Sequence, residues 1–308
     1  MQKYKLFPEA QNFLYFCSVK HMDIMKRNAF YALLLSLLAL GCQQKETSKD
    51  FAFDTHQGRR CFVVLGSNEL APDNSVVGLE NSYNLAWPKT GMLTPEAERE
   101  LIVRCFGDSL STTFDEAAEH LLYLTWGYDE GDAEIQLLEL KTDSIADTLQ
   151  YTYGHLESTC EVSGNLATFV IEDEIYRVGA AHGMYSVQYV NVDVNKGTIL
   201  HLYDLMDTTR LGEAILKAVN TLDVNEEVRG CLFEEFVAEG CLPVPQDFLI
   251  DSARSTITMV YQLYEVAPYV CGIQSVEVPV EWLAAQIQMT PYAKEFLVLS
   301  KAEEARGQ

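Results

Sequence analysis

Residues 184–202 read MYSVQYVNVDVNKGTILHL and carry the structural pattern that decides the fold. Tyr185, Val187 and Tyr189 fall on one face of a strand. Gln188, Val190 and Val192 alternate with them and fall on the other face. This period of two is typical of a β-strand. Asn195, Lys196 and Gly197 form a turn sequence, and the strand pattern returns over residues 198–202. The stretch therefore predicts two antiparallel strands joined by a tight turn.

Further strands are predicted on both sides of this hairpin. They cover residues 60–66, 82–87, 149–162, 166–176, 248–251, 256–264 and 276–280. From about residue 148 onward, apolar residues recur mainly with the period of two that strands show.

Helices are predicted where apolar residues recur at intervals of three and four. The first opens at Thr94, which is followed by a proline and an acid, a sequence typical of a helix N-terminus. The second carries one apolar face, formed by Phe114, Ala117, Ala118, Leu121 and Leu122. A third helix is expected over residues 211–222, a weaker one over 226–239, and a short one from Glu281.

Strands and helices are segregated along the chain rather than alternating, which favours the α+β class with an antiparallel sheet. We expect helices packed on one face of the sheet and two closely associated subdomains. Residues 59–160 are predicted as a smaller N-terminal α+β domain and residues 161–290 as a C-terminal one. A polar tether, residues 42–58, precedes them, and a charged tail, residues 291–308, follows.

The composition limits the functions that the chain can have. Of its 308 residues, 48% are hydrophobic and 22% are charged, so it can bury a sizeable core. Asp and Glu number 45 against 22 Lys and Arg, which gives a net charge of −23. Because binding to nucleic acid needs clustered Lys and Arg, we expect no nucleic acid partner. The sequence contains no Walker loop and no GxGxxG motif, and no cofactor is predicted.

The N-terminal region has the features of an export signal. Lys26 and Arg27 precede a run over residues 29–41 that is apolar except for Ser36 and ends before Cys42. A transmembrane helix needs about 20 apolar residues, and this run is shorter. The sequence ALGC at residues 39–42 resembles the lipobox of bacterial lipoproteins, in which the cysteine carries lipid and becomes the first residue of the mature chain. Cys42 is therefore the predicted lipidation site.

Two features of this leader leave alternatives open. Ala39 stands where a lipobox usually has leucine, so an ordinary secretory signal with a coincidental cysteine is the other interpretation. A start at Met25 gives a signal of ordinary length, and residues 1–24 then look like translated upstream sequence. Residues 1–41 are excluded from the fold prediction as leader and signal peptide. We expect an exported protein that is anchored by lipid to the bacterial cell envelope, at the outer membrane. Whether it lies on the periplasmic or the outer surface of that membrane is left open.

Six cysteines follow the lipidation site: Cys61, Cys105, Cys160, Cys231, Cys241 and Cys271. An oxidising location permits disulfides, and six cysteines allow fifteen pairings. Cys231 and Cys241 are close in sequence and form the candidate pair. Buried free thiols are the alternative. The spacing of Cys and His residues suggests no metal site.

Residues 106–111, FGDSLS, look like the nucleophile block of GDSL-type esterases, in which Ser109 would attack an ester carbonyl. Such a block ends a buried strand, whereas helix signals precede Ser109 here. The histidines that follow also lack an aspartate three residues before them. We therefore expect a helix C-terminus capped by Gly107, and we assign no catalytic residue.

His182 lies in GAAHG, residues 179–183, a loop of small residues between two predicted strands. Small residues allow the backbone to approach a neighbouring segment or a ligand. We favour a turn whose imidazole binds a backbone carbonyl over catalysis or metal binding. Tyr261, Tyr264 and Tyr269 either line a groove or pack within the sheet.

Three segments together resemble a known domain family. Residues 178–183, VGAAHG, are similar to its Gly-Gly-Ala-His turn, and residues 189–206 to its strand, glycine turn and Asp-Leu ending. Residues 264–269, YEVAPY, with Gly272 and the strand VEVPV at 276–280, resemble its YEIAPYAAG signature and the strand after it. This family is the C-terminal extracytoplasmic domain of RsiV-type anti-sigma factors and PdaC-type polysaccharide deacetylases.

The resemblance extends to the preceding part of the chain. Residues 82–106 are similar to the smaller domain that commonly stands before this one, so the likeness covers most of residues 60–287. Ala180, Cys271 and Val280 depart from the residues that the family has at these positions.

The resemblance implies a module that also occurs in bacterial lipoproteins without assigned activity. Since the deacetylase relatives carry catalysis in a separate domain, we expect a non-enzymatic, lipid-anchored envelope protein that binds a protein or glycan ligand. The His182 loop and the Ala-Pro turn are expected to abut, with His182, Tyr264, Glu265 and Tyr269 as candidate binding residues. The alternatives are an envelope hydrolase that uses Ser109 and a structural periplasmic scaffold.

Overall fold

The computed structural model describes residues 50–65, 77–126, 136–141, 150–251 and 255–298. These residues belong to one compact unit, residues 48–308. The predictions for the leader, for the lipidation site Cys42 and for the end of the tail lie outside the described residues.

Strands form two sheets in the described part of the chain. The large sheet has the order β3-β1-β2-β4-β5-β6-β7 and consists of β1 (Phe53–Leu65), β2 (Val77–Pro88), β3 (Gln136–Glu139), β4 (Gln150–Ser163), β5 (Leu166–Tyr176), β6 (Met184–Asp193) and β7 (Thr198–Leu200). The small sheet has the order β10-β9-β8 and consists of β8 (Asp247–Asp251), β9 (Thr256–Tyr261) and β10 (Gln274–Pro279).

Helices fill the connections between these strands. They are α1 (Pro95–Phe106), α2 (Phe114–Leu122), α3 (Leu202–Leu205), α4 (Leu211–Thr221), α5 (Glu226–Arg229), α6 (Glu234–Glu239) and α7 (Val280–Ala284). Short 3-10 turns occupy Asp223–Asn225, Tyr269–Cys271 and Pro291–Glu295. None of the described helices is both long and apolar enough to cross a bilayer.

The predicted ends of α1 are confirmed. The Thr94 hydroxyl accepts a hydrogen bond from the Ala97 amide, which caps the N-terminus of the helix. Gly107 ends the helix with φ 64°, a left-handed conformation that glycine adopts without the steric cost of a β-carbon.

The α+β class is also confirmed, with one correction to the strand pairing. β5, β6 and β7 form the predicted antiparallel series, in which Asp193 pairs with Thr198 across the tight turn. β2 and β4, in contrast, are parallel, with Val77 opposite Gln150. A parallel pair needs a long crossover connection, and α1, α2 and β3 lie in this one.

The expected domain boundary falls inside a strand of the large sheet. Residues 160 and 161 lie inside β4, and β4 pairs with β2 on one side and β5 on the other. One sheet therefore continues through the position where the sequence predicted two subdomains to meet.

The two faces of the large sheet pack against different partners. Phe169 and Val190 point toward α1 and α2, where they share a buried cluster with Leu101. Asn191 points to the other face, and its side-chain amide donates to the Phe248 carbonyl over 2.7 Å. The helices α1 and α2 thus cover one face, while the small sheet begins on the opposite one.

A second buried cluster holds the small sheet and its helices together. Val276 and Val278 of β10 are fully buried in this cluster with Ile215 and Val219 of α4. The face of α4 that the sequence predicted to be apolar is therefore the face that covers the small sheet.

Candidate ligand-binding surface

The structure brings the His182 loop against the Tyr269 turn, as the sequence predicted. The imidazole stacks on the Tyr269 ring, with ring centroids 3.8 Å apart and planes inclined by 23°. Tyr264 and Tyr185 approach the same ring, with centroids at 5.7 and 6.5 Å. We refer to these four side chains as the aromatic surface. Tyr185 was predicted to lie in a strand and was not among the predicted binding residues.

A shared backbone carbonyl holds the centre of the aromatic surface. The Tyr269 hydroxyl donates to the Gly183 carbonyl over 2.9 Å, and Nδ1 of His182 lies 3.0 Å from the same oxygen. A carbonyl can only accept, so Nδ1 of His182 carries the proton in this contact. The predicted turn, in which the imidazole binds a backbone carbonyl, is confirmed.

The aromatic surface is open to solvent and has apolar neighbours. Tyr264 is 51% exposed and Tyr185 is 41% exposed. Met184, the sequence neighbour of Tyr185, is 43% exposed, and Val270, the sequence neighbour of Tyr269, is 89% exposed. A group of large apolar side chains left in water is typical of a surface that binds a partner.

Tyr264 adopts a backbone conformation that non-glycine residues rarely have. Its φ is +66°, in the left-handed region. Hydrogen bonds on both sides hold this turn, because the Glu265 amide donates to the Gln262 carbonyl and the Gln262 amide donates to the Glu265 carboxylate over 2.8 Å. Burial raises the pKa of Glu265, and the hydrogen bond from the Gln262 backbone acts against that shift. The predicted binding residue Glu265 thus shapes the turn that presents the Tyr264 ring.

A disulfide ties the turn of Tyr269 to the rest of the molecule, and it corrects the predicted pairing. Cys231 pairs with Cys271, with their Cα atoms 6.1 Å apart, while Cys241 has a free thiol. Closeness in sequence suggested Cys231 and Cys241, but α6 and the residues around it lie between them. Because Cys271 stands two residues after Tyr269, the disulfide anchors one side of the aromatic surface.

Side chains replace a strand partner along the free edge of β6 next to this surface. The Gln262 side chain accepts from the Val187 amide and donates to the Val187 carbonyl. The Asp247 carboxylate accepts from the Tyr189 amide and also binds the Arg104 guanidinium. These contacts fix β6 to β8 and α1, so the aromatic surface rests on a rigid base.

The Ser109 loop lies outside the aromatic surface. Ser109 follows the cap of α1, not a strand, so the predicted helix C-terminus is confirmed there. The Asp108 carboxylate accepts from the Ser111 hydroxyl and lies 2.9 Å from Nδ1 of His120. Sequence reasoning missed this contact, because the aspartate precedes its histidine by 12 residues. Among the described residues, no hydrogen bond joins the Ser109 hydroxyl to His120.

Tyr261 does not belong to the aromatic surface. Tyr261 is fully buried and donates to the Pro243 carbonyl over 2.9 Å, so it lines no groove with Tyr264. Within the described ranges, no three His, Cys, Asp or Glu side chains are close enough together to hold a metal ion.

Comparison with known proteins shows what the architecture is similar to. A crystal structure of a DUF3298 family member from Bacteroides fragilis matches 81% of this chain and 98% of its own length, with a TM-score of 0.52 and 20% identity. A crystal structure of a DUF3298 family protein from Pseudomonas aeruginosa matches 80% of this chain and 98% of its own length, with a TM-score of 0.45 and 14% identity. No family model matches the chain, and no curated protein matches it. The first structure shows a shared fold, and a domain of unknown function names no activity.

Proposed function

We propose that this chain is a lipid-anchored protein of the bacterial cell envelope that binds a protein ligand through the aromatic surface and catalyses no reaction. The observation that carries the proposal is the stack of His182 on Tyr269, flanked by the exposed rings of Tyr185 and Tyr264. The surface is held by a disulfide, a strained turn and a shared carbonyl, so its shape exists before a ligand arrives.

Three observations support the envelope location. The sequence before Cys42 resembles a lipoprotein signal. The pairing of Cys231 with Cys271 fits an oxidising compartment outside the cytoplasm. The segments around His182 and Tyr264 resemble the extracytoplasmic domain of RsiV-type proteins, and a DUF3298 family structure shares the fold.

The side chains around the rings favour a protein over a glycan as the ligand. Tyr and Met are enriched in protein–protein interfaces, and tyrosines are frequent among the residues that contribute most to binding. Val270, the sequence neighbour of Tyr269, is 89% exposed and aliphatic, and it offers no hydrogen bond to the hydroxyls of a sugar. A protein ligand with an apolar contact area fits this combination.

Photo-crosslinking in cells that produce the chain tests the proposal. A benzophenone amino acid replaces Tyr264 in one variant and Tyr203 in a matched control. Tyr203 is also exposed, at 63%, and also stacks on a histidine, with centroids 4.8 Å apart. We expect one crosslinked product of defined mass from position 264 and none from position 203. In parallel, Cys42→Ser is expected to move the protein from the membrane fraction to the soluble fraction.

Other results would assign a different function. Equal products at both positions, or none at either, would contradict ligand binding here and favour a scaffold. Co-sedimentation with peptidoglycan that Tyr264→Ala abolishes would identify a glycan ligand instead.

A hydrolase that uses Ser109 is the second candidate, because Asp108 orients His120 beside the same cavity as Ser109. Hydrolysis of p-nitrophenyl acetate that falls to background in both Ser109→Ala and His120→Ala would establish it. We expect no difference between these variants and the unaltered chain.

A further inference from the structure

A groove lies between the two sheets, on the face of the large sheet away from α1 and α2. Its volume is about 530 Å³, and Leu166, Thr168 and Val170 of β5 line it from one side. Leu249 and Ile250 of β8 line it from the other. Glu161, Ser163 and Asp251 also line the groove, so its apolar side chains stand beside acidic ones, and one of its walls is an edge strand.

The edge of β8 presents unpaired backbone groups to this groove. The Asn225 side chain binds both the amide and the carbonyl of Glu277 in β10, so these groups point away from β9. Along an antiparallel strand, the backbone groups of successive residues point to alternate sides. Glu277 of β10 pairs with Thr258 of β9, and Thr258 pairs with Leu249 of β8. The backbone of Leu249 therefore points to β9, and that of its neighbour Ile250 points outward.

Only part of this outward edge is used within the described residues. The Phe248 carbonyl accepts from Asn191 over 2.7 Å. No hydrogen bond of the described residues uses the amide or the carbonyl of Ile250. An unpaired amide and carbonyl on an edge strand are a template for an added strand.

The sheet face next to the groove is acidic. Glu161, Glu172 and Glu174 are exposed on this face of β4 and β5. Glu157 stands directly opposite Glu172 in the register of these strands. Nε2 of His155 lies 3.8 Å from the Glu157 carboxylate on the same face. Two like charges in opposite positions destabilise a sheet, and a further cation beside Glu172 would reduce that cost. This face therefore suits a ligand that carries positive charge.

We propose that the groove binds an extended, cationic peptide segment of a partner protein as an additional strand along β8. Its backbone pairs with Ile250, and an apolar side chain packs against Leu166 and Val170. Glu172 stands two residues beyond Val170 on the same face, about 7 Å farther along the strand. A Lys or Arg two residues beyond that apolar side chain lies on the same face of the peptide and thus reaches Glu157 and Glu172. This site is separate in its residues from the aromatic surface, and it does not depend on the proposed function.

The test uses the full chain and a labelled peptide of sequence TVTKTK, which carries Val and Lys on one face, with fluorescence anisotropy to measure its dissociation constant. We expect binding that weakens as salt rises, and at least tenfold weaker binding for the sequence TVTETE. The double variant Glu157→Gln, Glu172→Gln should bind TVTKTK at least tenfold more weakly. Its matched control is Glu213→Gln, Glu239→Gln, which removes the same charge from helices α4 and α6 and should bind as the unaltered chain does.

Backbone pairing is tested on the peptide, so that no protein variant has to fold. N-methylation of every second amide of TVTKTK removes the hydrogen-bond donors of one edge of the peptide. Of the two possible sets of amides, one faces β8, and methylation of that set should abolish binding. The amide resonance of Ile250 should shift on addition of the unmethylated peptide.

Any of the following results would overturn the inference. They are a dissociation constant that is equal for TVTKTK and TVTETE, equal binding by both double variants, tolerance of N-methylation in both sets of amides, and an unshifted Ile250 resonance. Loss of binding in Tyr264→Ala would place the peptide on the aromatic surface and would also overturn it.

Discussion

Asp247 connects three elements through one buried carboxylate. It binds the Arg104 guanidinium of α1, the Tyr189 amide of β6 and the Gln262 amide nitrogen, the last over 3.1 Å. The side chains of Arg104 and Asp247 are only 9% and 8% exposed. Removing one partner of such a pair leaves an uncompensated charge in the interior.

We expect Asp247→Ala to lower the free energy of unfolding by about 3–5 kcal/mol, since it leaves Arg104 buried without its carboxylate. The control is Glu213→Ala, which breaks an ion pair with Arg210 whose side chains are 76% and 51% exposed. That change should cost less than about 1 kcal/mol. Urea unfolding measures both, and equal losses would show that burial of the Arg104 pair contributes nothing.

Asp173 links stability to pH. Burial raises its pKa to about 6, and the charge of His155 opposes part of that rise. The pKa of an unfolded aspartate is about 3.9, so the folded chain binds more protons than the unfolded chain between these values. The contribution of Asp173 to the free energy of unfolding is fully present below the pKa that Asp173 has in the unfolded chain. It is lost as the pH rises through the pKa that Asp173 has in the folded chain.

We expect Asp173→Asn to remove this loss. The melting temperature of the variant, relative to that of the unaltered chain, should therefore increase from pH 4 to pH 7. Thermal unfolding across that range measures the difference. Ser186→Ala is the control, because Ser186 pairs with Asp173 across the strands and does not titrate. A constant difference between Asp173→Asn and the unaltered chain would contradict the assignment.

At the level of the element, the turn between β6 and β7 also supports α1. The Thr94 amide donates to the Gly197 carbonyl over 2.8 Å, just before the helix begins. Gly197 has φ +67°, and a β-carbon there would stand 2.5 Å from the Met92 carbonyl oxygen. The turn thus needs glycine both for its conformation and for the close approach of the Met92 segment.

Gly197→Ala and Gly164→Ala separate these two requirements. Gly164 has φ +62° with open space around it, so alanine there should cost about 1–2 kcal/mol for the left-handed conformation alone. At Gly197 the clash adds about 1–3 kcal/mol more. Urea unfolding of the two variants compares them. The same loss at both positions would show that the Met92 segment moves away freely.

At the level of the whole molecule, the large sheet makes one folding unit of the two predicted subdomains. One buried cluster contains Leu85 and Leu156 from the first predicted domain and Phe169, Ile171 and Val190 from the second. Neither predicted domain therefore contains a complete core on that face of the sheet.

We expect a fragment of residues 161–298 not to fold, because β5 loses its partner β4 and the cluster loses the residues that precede the cut. The control is residues 48–308, which form one compact unit and should unfold in a single transition. Circular dichroism on heating and limited proteolysis measure both. A cooperative transition of the shorter fragment would contradict this prediction.

Most elements were predictable because their signals are local. The strand over residues 166–176 has the predicted bounds, and α1 has the predicted cap at Gly107. Residues 226–239, predicted as one weak helix, form two short helices that Gly230 and the residues after it separate. The short strand β3 was missed, since four residues carry too little periodicity to reveal it.

The candidate site was predictable in part. The residues His182 and Tyr269 were identified from their loops, and the structure stacks them. Tyr185 was missed because its position in a strand pattern explained it already. Its part in the surface depends on where β6 begins relative to the turn of Tyr269.

The sequence by itself determined the class, the elements and the turns, because periodicity and turn residues act over a few neighbouring positions. Tertiary structure alone decided which distant groups meet. It paired β2 with β4 in parallel, joined Cys231 to Cys271 across 40 residues, and set the Tyr269 hydroxyl on a carbonyl 86 positions away. Such contacts depend on how two sheets pack their buried faces together, and no short stretch of sequence contains that information.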